Sequence, residues 1–277
     1  MPDVTEPASD EALLDAARAG DSEALERLLE RHQAQVYRFG MTMCRSPEDA
    51  KDVLQDTLIA VARGVRDFRG SSSLSTWLYT IARSFCIKKR RRSKFAPELE
   101  RTADVSDLGA FATDPGAGPD ELLVSKQVRL ALEEAIGALA PAYREVLLLR
   151  DAEGLTAPEV AEVLGLSVAA VKTRLHRARA EVRAQVGPKL GITSLPPGPA
   201  CPDVVALFSR FLEDEISPST CTDMQRHLQG CARCSALCDS LKQTLALCRT
   251  SPAEAQVPAE VQASVKTALR DYLRVGR

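Results

Sequence analysis

The chain has 277 residues, room for two or three small domains, and its formal net charge of −2 gives the molecule as a whole no basic signature. Aromatic residues are only 4% while Ala, Leu, Val and Arg are abundant, a mix that favours helices over sheets. No apolar run approaches the roughly 18–20 residues that span a bilayer, and the acidic start MPDVTEPASDEALLDAARAGD lacks the basic-then-apolar order of a signal peptide. A cytoplasmic protein without membrane contact is expected. There is no Walker A loop and no G-x-S-x-G, and three histidines are too few for a His-rich catalytic metal site, so catalytic residues are none and a non-enzyme is expected.

In chain order, an acidic helix is predicted over 10–19, followed by one from Ser22 to about Thr42 with Leu25, Leu28, Leu29, Val36 and Phe39 near a 3.6 period. Ser46-Pro47-Glu48 opens a third helix, since serine can cap and proline suits a first turn. It runs to about Val65 with Val53, Leu54, Leu58 and Val61 facing inward. Asp52, Gln55 and Asp56 face outward, either solvated or suited to a basic partner. A loop over 68–73 leads to a helix over 74–92 with a very basic end. Periodicity is lost over 93–124, where FATDPGAGPD reads as a linker.

Helical pattern returns over 125–186. In LTAPEVAEVLGLSVAAVKTRLHRARAEV, Thr156 can cap a short helix, Gly165 permits a tight turn, and Ser167 caps a second helix with Val171 and Leu175 on its buried side. Lys172, Arg174, Arg177, Arg179 and Arg183 load that helix with positive charge. This is the geometry of a helix-turn-helix, with Ser167 to Thr173 toward base edges and later arginines toward phosphates. The bland reading is a helical hairpin with solvated arginines. The stretch, with its phrase VKTRLHRAR, closely resembles region 4 of the extracytoplasmic-function (ECF) sigma factors, which reads the promoter −35 element.

The resemblance continues upstream and covers roughly residues 10–186. EDAKDVLQDTLIAVARGV (48–65) is similar to the region 2 helix that docks on the polymerase clamp, with the family's D-x-x-Q falling on Asp52 and Gln55 and with Asp56 beside them. FRGSSSLSTWLYTIARSFCIKKRRR (68–92) resembles the −10 reading segment, with Trp77, Leu78 and Ile81 at the family's core anchors. Capturing unpaired bases needs a loop pocket and backbone-neutralising cations. Ser71, Ser72 and Ser73, with Arg83, Lys88, Lys89, Arg90, Arg91, Arg92 and Lys94, supply both, and Trp77 and Tyr79 lie in the same segment. Ser84 and Lys88 depart from the commoner Asn and Asp, which implies a different −10 preference.

A second linker is predicted over 191–200, and six of the eight cysteines crowd into the stretch after it. Structural disulfides are rare in a reducing compartment, so the crowding points to metal or redox chemistry. His227, Cys231 and Cys234 form H-x3-C-x2-C, and Cys201 can close a tetrahedral zinc-type site by chain reversal. Cys221, Cys238 and Cys248 exceed that need and are expected as accessory thiolates. The segment resembles the zinc-binding anti-sigma fold, matched by Cys201, FLEDEIS (211–217), His227, Cys231 and Cys234. The whole arrangement is similar to the CorE-like, metal-responsive sigma factors. Cys44 and Cys86 are read as small buried hydrophobes, His32 as a surface residue and His176 as at most a phosphate contact. A final helix over 258–273 carries Val261, Val265, Leu269 and Tyr272 on one face.

The expected fold is all-α: region 2 over 10–95, a linker over 96–124, region 4 over 125–188, a linker over 189–200 and a helical Cys/His domain over 201–277. The expected function is promoter-directed initiation with core RNA polymerase and promoter DNA as partners. Regulation is expected through intramolecular contact with the tail, the apo tail restraining and the metal-bound tail releasing the sigma domains. Zn2+ or Cd2+ suits the donor set, with copper as the alternative. A thiol-redox switch and a conventional helix-turn-helix regulator are the competing readings.

Overall fold

The structure, a computed structural model, describes residues 8–95, 119–190, 201–250 and 257–275. The predicted linkers over 96–124 and 189–200 lie largely outside these residues. All regular structure among the described residues is helical, and the chain divides into two compact units, residues 1–110 with 255–277 and residues 111–254.

In the first unit α1 (Asp10–Arg18), α2 (Ser22–Cys44), α3 (Pro47–Gly64) and α4 (Leu74–Phe95) pack with the last helix, α12 (Ala259–Val275). The starts of α1, α2 and α3 are capped by the side chains of Ser9, Asp21 and Ser46. The Asp21 carboxylate accepts from the Glu23 and Ala24 N–H groups, and Ser46 Oγ accepts from Asp49 N–H with Pro47 in the first turn. Leu28, Leu29, Val36 and Phe39 of α2 close the core with Val53, Leu54 and Val61 of α3 and with Leu78, Tyr79 and Ala82 of α4. Gly40 allows α2 to approach α3 closely, since a Cβ there would stand 3.2 Å from Ala50 Cα. His32, expected at the surface, is 7% exposed because its two ring nitrogens reach Asp10 (2.9 Å) and Gln35 (3.1 Å), tying α1 to α2.

In α12, Val261, Val265 and Leu269 are buried, as the apolar face predicts. Val265 and Leu269, with Ala259, Gln262, Ala263 and Lys266, line a groove against Glu26, Leu29, Glu30 and Gln33 of α2 and Leu58 of α3. Lys266 pairs with Glu30 (2.6 Å), Arg270 with Glu26 (2.9 Å), and the Arg63 guanidinium lies over the Tyr272 ring at 5.0 Å. The last helix therefore belongs to the first unit rather than to the cysteine module.

In the second unit, α5 (Pro119–Ala138) and α6 (Pro141–Leu147) lead through a π-helical turn, Leu148–Ala152, into α7 (Ala157–Leu164) and α8 (Val168–Val186). Arg144 ties α5 to α6 by donating to the backbone carbonyls of Ile136, Gly137 and Leu139. Thr156 and Glu159 form a reciprocal capping box at the start of α7. Gly165 ends α7 at φ +63, a left-handed conformation that glycine adopts without penalty, and Leu166 N–H then closes on Ala161 O at 2.9 Å. Ser167 caps α8, and Val171, Leu175, Ala178 and Val182 face the core, as the helix-turn-helix reading requires.

The cysteine module, α9 (Val204–Leu212), α10 (Pro218–Gly230) and α11 (Ala232–Thr250), packs in the same unit. α11 lies against α5, α8 and the π-helical turn, and α9 against α8. Its core joins Val204 and Phe208 of α9 to Cys234, Cys238, Leu241 and Leu245 of α11.

Candidate functional site

Cys201, His227, Cys231 and Cys234 converge, their ligand atoms all lying within 4.8 Å of one another. Cys201 precedes α9, His227 sits in the last turn of α10, Cys231 stands between α10 and α11, and Cys234 lies in the first turn of α11. The Cys201 and Cys231 sulfurs are 4.0 Å apart. Bonds of ~2.3 Å at the tetrahedral angle put two zinc-bound sulfurs ~3.8 Å apart, so the spacing suits one ion. His227 Nε2 is buried without a hydrogen-bond partner, as a lone pair reserved for a cation would be. Cys231 caps α11, and the Cys234 backbone N–H, followed by the neighbouring thiols, holds its own thiol below the ordinary value. Burial, then Cys201 and Cys231, push Cys234 up to about 12. The four residues thus form a Cys3His set consistent with zinc-type coordination.

The three further cysteines are not part of this quartet. Cys238 is in the apolar core, where burial raises its thiol, Cys248 is buried near the end of α11, and Cys221 is half-buried on α10.

At the other end of α9 the chain makes an acidic turn, Glu213-Asp214-Glu215. Asp214 takes φ +55, and Glu215 N–H closes on Arg210 O at 2.9 Å. This turn meets α8. Arg179, 3% exposed, donates through Nε and Nη2 to both oxygens of Asp151 (2.8 and 2.6 Å) and through Nη2 to Glu213 Oε1 (3.0 Å). Glu213 Oε2 accepts from Arg150 Nε at 3.1 Å, and Arg150 also donates to Leu212 O at 3.2 Å. Lys172 donates to Glu215 Oε1 (2.8 Å) and Glu213 O (3.4 Å). Further along α8, Arg183 Nε donates to Ser240 Oγ of α11 at 3.1 Å. Burial alone would pull the Arg179 guanidinium down, but Asp151 and then Glu213 more than offset it and hold it above its ordinary value. Three cations, Arg150, Lys172 and Arg179, face three carboxylates, Asp151, Glu213 and Glu215. The cluster is therefore charge-balanced, with Arg179, Asp151 and Glu213 buried at its centre and Arg150, Lys172 and Glu215 partly exposed around them.

Residues 28–95 match the sigma-70 region 2 family, 129–182 the sigma-70 region 4 family and 201–235 a zinc-finger family. A solved structure of CnrH in complex with the cytosolic domain of CnrY is 28% identical, covers 63% of this chain and 95% of its own, and has a TM-score of 0.45. Among curated relatives, the ECF RNA polymerase sigma factor SigM of Mycobacterium tuberculosis is 31% identical over 179 residues, 65% of this chain and 85% of its own. The ECF RNA polymerase sigma-E factor of Haemophilus influenzae is 30% identical over 189 residues, 67% of this chain and 99% of its own. The chain belongs to the ECF RNA polymerase sigma factors. Sigma factors are transcription initiation factors, not catalytic enzymes. In this one the sigma regions precede a Cys/His cluster resembling an anti-sigma zinc-finger domain. No helix among the described residues is long and apolar enough to cross a membrane.

In region 4 of this sigma factor, the cations expected on the DNA face of α8 divide into two sets. Thr173 and Arg177 are exposed, Arg174 is half-buried, and Arg177 Nη1 donates to the Tyr143 hydroxyl at 3.1 Å. Lys172, Arg179 and Arg183 instead lie on the edge covered by the acidic turn and α11. Arg179, expected at a DNA phosphate, turns inward because Asp151 and Glu213 satisfy it there. Ser167 is exposed, and its hydroxyl accepts from Ala170 N–H as the cap of α8.

In region 2, Ser71 and Ser73 are exposed and Ser72 half-buried, and Ser73 Oγ accepts from Thr76 N–H at the start of α4. Trp77 stacks on Phe68 at 4.6 Å, whereas Tyr79, expected in the −10 segment, is 2% exposed and packs edge-on against Phe39. Lys88 and Arg91 are exposed, and Arg83 and Arg90 are half-buried, while the side chains of Arg92 and Lys94 lie outside the described residues. Asp52 and Asp56 are exposed and Gln55 is half-buried on α3, and Lys89 pairs with Asp52 and, at 3.7 Å, with Asp49. Sequence reasoning singled out FLEDEIS only as a family-like segment. It assigned no role to Glu213, Glu215, Arg150 or Asp151, whose alternation of charge is visible but whose partners are tens of residues away.

Proposed function

We propose that this protein is a sigma factor restrained in cis, in which the cysteine module clasps region 4 and a metal ion at Cys201, His227, Cys231 and Cys234 sets the hold. The observation that carries this reading is the Glu213 carboxylate, shared between Arg150 and Arg179, with Glu215 on Lys172. Lys172 stands in the first turns of the recognition helix, where a helix-turn-helix meets DNA. A cation neutralised by a carboxylate gains less from a phosphate.

When the clasp opens, Ser167, Lys172, Thr173, Arg174 and Arg177 engage the −35 element. Ser71, Ser72, Ser73, Trp77, Arg83, Lys88, Arg90 and Arg91 engage the −10 element and its single strand. Asp52, Gln55 and Asp56 face core RNA polymerase. Three thiolates and one imidazole favour zinc, with cadmium gaining from the thiolates and copper as the runner-up.

The four ligands are gathered in the same arrangement that engages Glu213, and a ligand favours the state it binds better. Zinc in this quartet therefore stabilises the restrained state, the reverse of the order expected from sequence. Induction by metal, as in CorE-like sigma factors, then requires an incoming ion to draw the coordination away from the quartet, toward thiols such as Cys221.

The test is run-off transcription with core polymerase, using the zinc-loaded chain, the chelated chain and chains given cadmium or copper. Cys231→Ala/Cys234→Ala serves as the metal-blind control and Asp52→Ala/Gln55→Ala as the core-binding control. Low output when zinc-loaded, higher output from the metal-blind chain and none from the core-binding variant are expected. Equal output from the zinc-loaded and metal-blind chains contradicts metal control. Normal output from the Asp52→Ala/Gln55→Ala chain contradicts the polymerase face.

A further inference from the structure

The cations of α8 differ in what holds them. Lys172 and Arg179 meet carboxylates, and Arg183 meets Ser240 Oγ, whose own proton goes to Leu237 O at 2.9 Å. Arg177 differs from all three. Its Nη1 donates to the Tyr143 hydroxyl of α6 at 3.1 Å, and among the described residues it forms no ion pair. A neutral acceptor fixes the direction of a guanidinium without cancelling its charge. A phenol hydroxyl offers one proton besides its lone pairs, and here a lone pair is spent on Arg177. Unlike that of Ser240, the Tyr143 proton has no acceptor among the described residues.

The first turn of α6 presents this hydroxyl from a fixed base. Pro141 opens the helix, and the Tyr143 and Arg144 N–H groups close on Ala140 O at 2.9 and 3.0 Å. Arg144, the next residue, is buried and donates to Ile136 O and Leu139 O at 3.0 Å each. Val146 and Leu147 are buried as α6 packs on α8. Tyr143 itself is half-buried and Arg177 exposed, so the pair stands at the open edge of that contact. The unused N–H groups of Arg177 and the Tyr143 O–H are neighbouring donors on a net positive charge. Both a guanidinium and a tyrosine hydroxyl are donors to the phosphate oxygens of DNA, and hydrogen bonds to an ionised acceptor are the stronger kind.

We propose that Tyr143 is a further contact to the promoter backbone, donating its hydroxyl proton to the phosphate that Arg177 grips and holding Arg177 in line for it. This rests on the reading of α8 as the helix that meets the −35 duplex. Tyr143 precedes the helix-turn-helix, so the clamp adds α6 to the DNA-binding surface. A phosphate contact fixes register and orientation and carries no sequence information. The clamp therefore strengthens binding to a native and a scrambled duplex alike. Because the hydroxyl is neutral, removing it leaves the number of neutralised phosphates unchanged, whereas removing Arg177 lowers that number by one.

The experiment measures binding of the full chain to a −35 duplex by fluorescence anisotropy across a salt series, in the Glu213→Gln/Glu215→Gln background. Tyr143→Phe, which keeps the ring and its packing, is compared with Arg177→Ala and with the double variant. Tyr143→Phe is expected to melt like its parent and to weaken binding about five- to tenfold on native and scrambled duplexes, at an unchanged salt slope. Arg177→Ala lowers the slope by about 0.9. Adding Tyr143→Phe to Arg177→Ala costs about twofold or less, because the two act on one phosphate. A neutral methylphosphonate, moved one phosphate at a time along the −35 element, erases the difference between parent and Tyr143→Phe at a single position. Parental affinity in Tyr143→Phe together with weakened binding in Arg177→Ala overturns the clamp and leaves the −35 helix standing. Parental affinity in Arg177→Ala overturns both. A Tyr143→Phe loss confined to the native sequence makes the residue a base contact and overturns the phosphate assignment.

Discussion

Asp151→Ala lowers the stability of the region 4 unit by about 3 kcal/mol, toward the lower end of the roughly 3–5 kcal/mol lost when one partner of a buried ion pair is removed. The Asp151 and Arg179 side chains are each 2% exposed, so solvent does not replace the lost carboxylate. Glu213 remains on Arg179 Nη2 and keeps the loss from being larger. Asp151→Asn, which retains a hydrogen-bond acceptor but not the charge, lies between wild type and Asp151→Ala. Urea unfolding followed by circular dichroism measures the difference, and a loss below about 1 kcal/mol, the range of exposed pairs, would show that Arg179 is solvated after all.

Cys234→Ser lowers zinc affinity by more than the roughly 10–100-fold that follows loss of a residue merely orienting a ligand, because it removes one of four donors. Cys238→Ser leaves zinc affinity near that of the wild type while weakening the module. Its hydroxyl would enter an apolar core of Val204, Phe208, Leu241 and Leu245, where an unsatisfied group costs about 1–3 kcal/mol. Competition with a chromophoric chelator separates the two. Equal losses in both variants would make Cys238 a ligand, as the sequence alone allowed. With the Cys234 thiol pushed up to about 12, an incoming ion displaces its proton, so affinity in the wild type rises with pH and binding releases protons.

These residues also mark what a sequence can and cannot say. The helix starts were legible because capping is local: Ser46, Thr156 and Ser167 each satisfy an N–H three residues on. The metal quartet was legible because His227, Cys231 and Cys234 lie within eight residues, and only Cys201 needed a long reach. The inward turn of Arg179 was not legible. Cations at 172, 174, 177, 179 and 183 surround α8, and nothing local says which one meets a carboxylate supplied 28 residues upstream and another 34 downstream. The π-helical turn that presents Asp151 also breaks the 3.6 period on which sequence reading depends. Tyr79 could have been read correctly, since 78, 79, 82 and 86 form one buried stripe of α4. The apolar face of α12 was evident but its partner was not, because a face specifies burial and not which helices provide it.

The most direct test of the cis restraint is the binding of the full chain to a −35 duplex across a salt series, compared with Glu213→Gln/Glu215→Gln. The two substitutions keep side-chain size and remove the charges that hold Arg150, Arg179 and Lys172, while Asp151 still satisfies Arg179. The predicted result is tighter binding by about tenfold or more and a plot of log affinity against log salt steeper by roughly 1–2, since each cation returned to a phosphate adds about 0.9 to the slope. Unchanged affinity and slope in a variant that melts like the wild type would contradict the account.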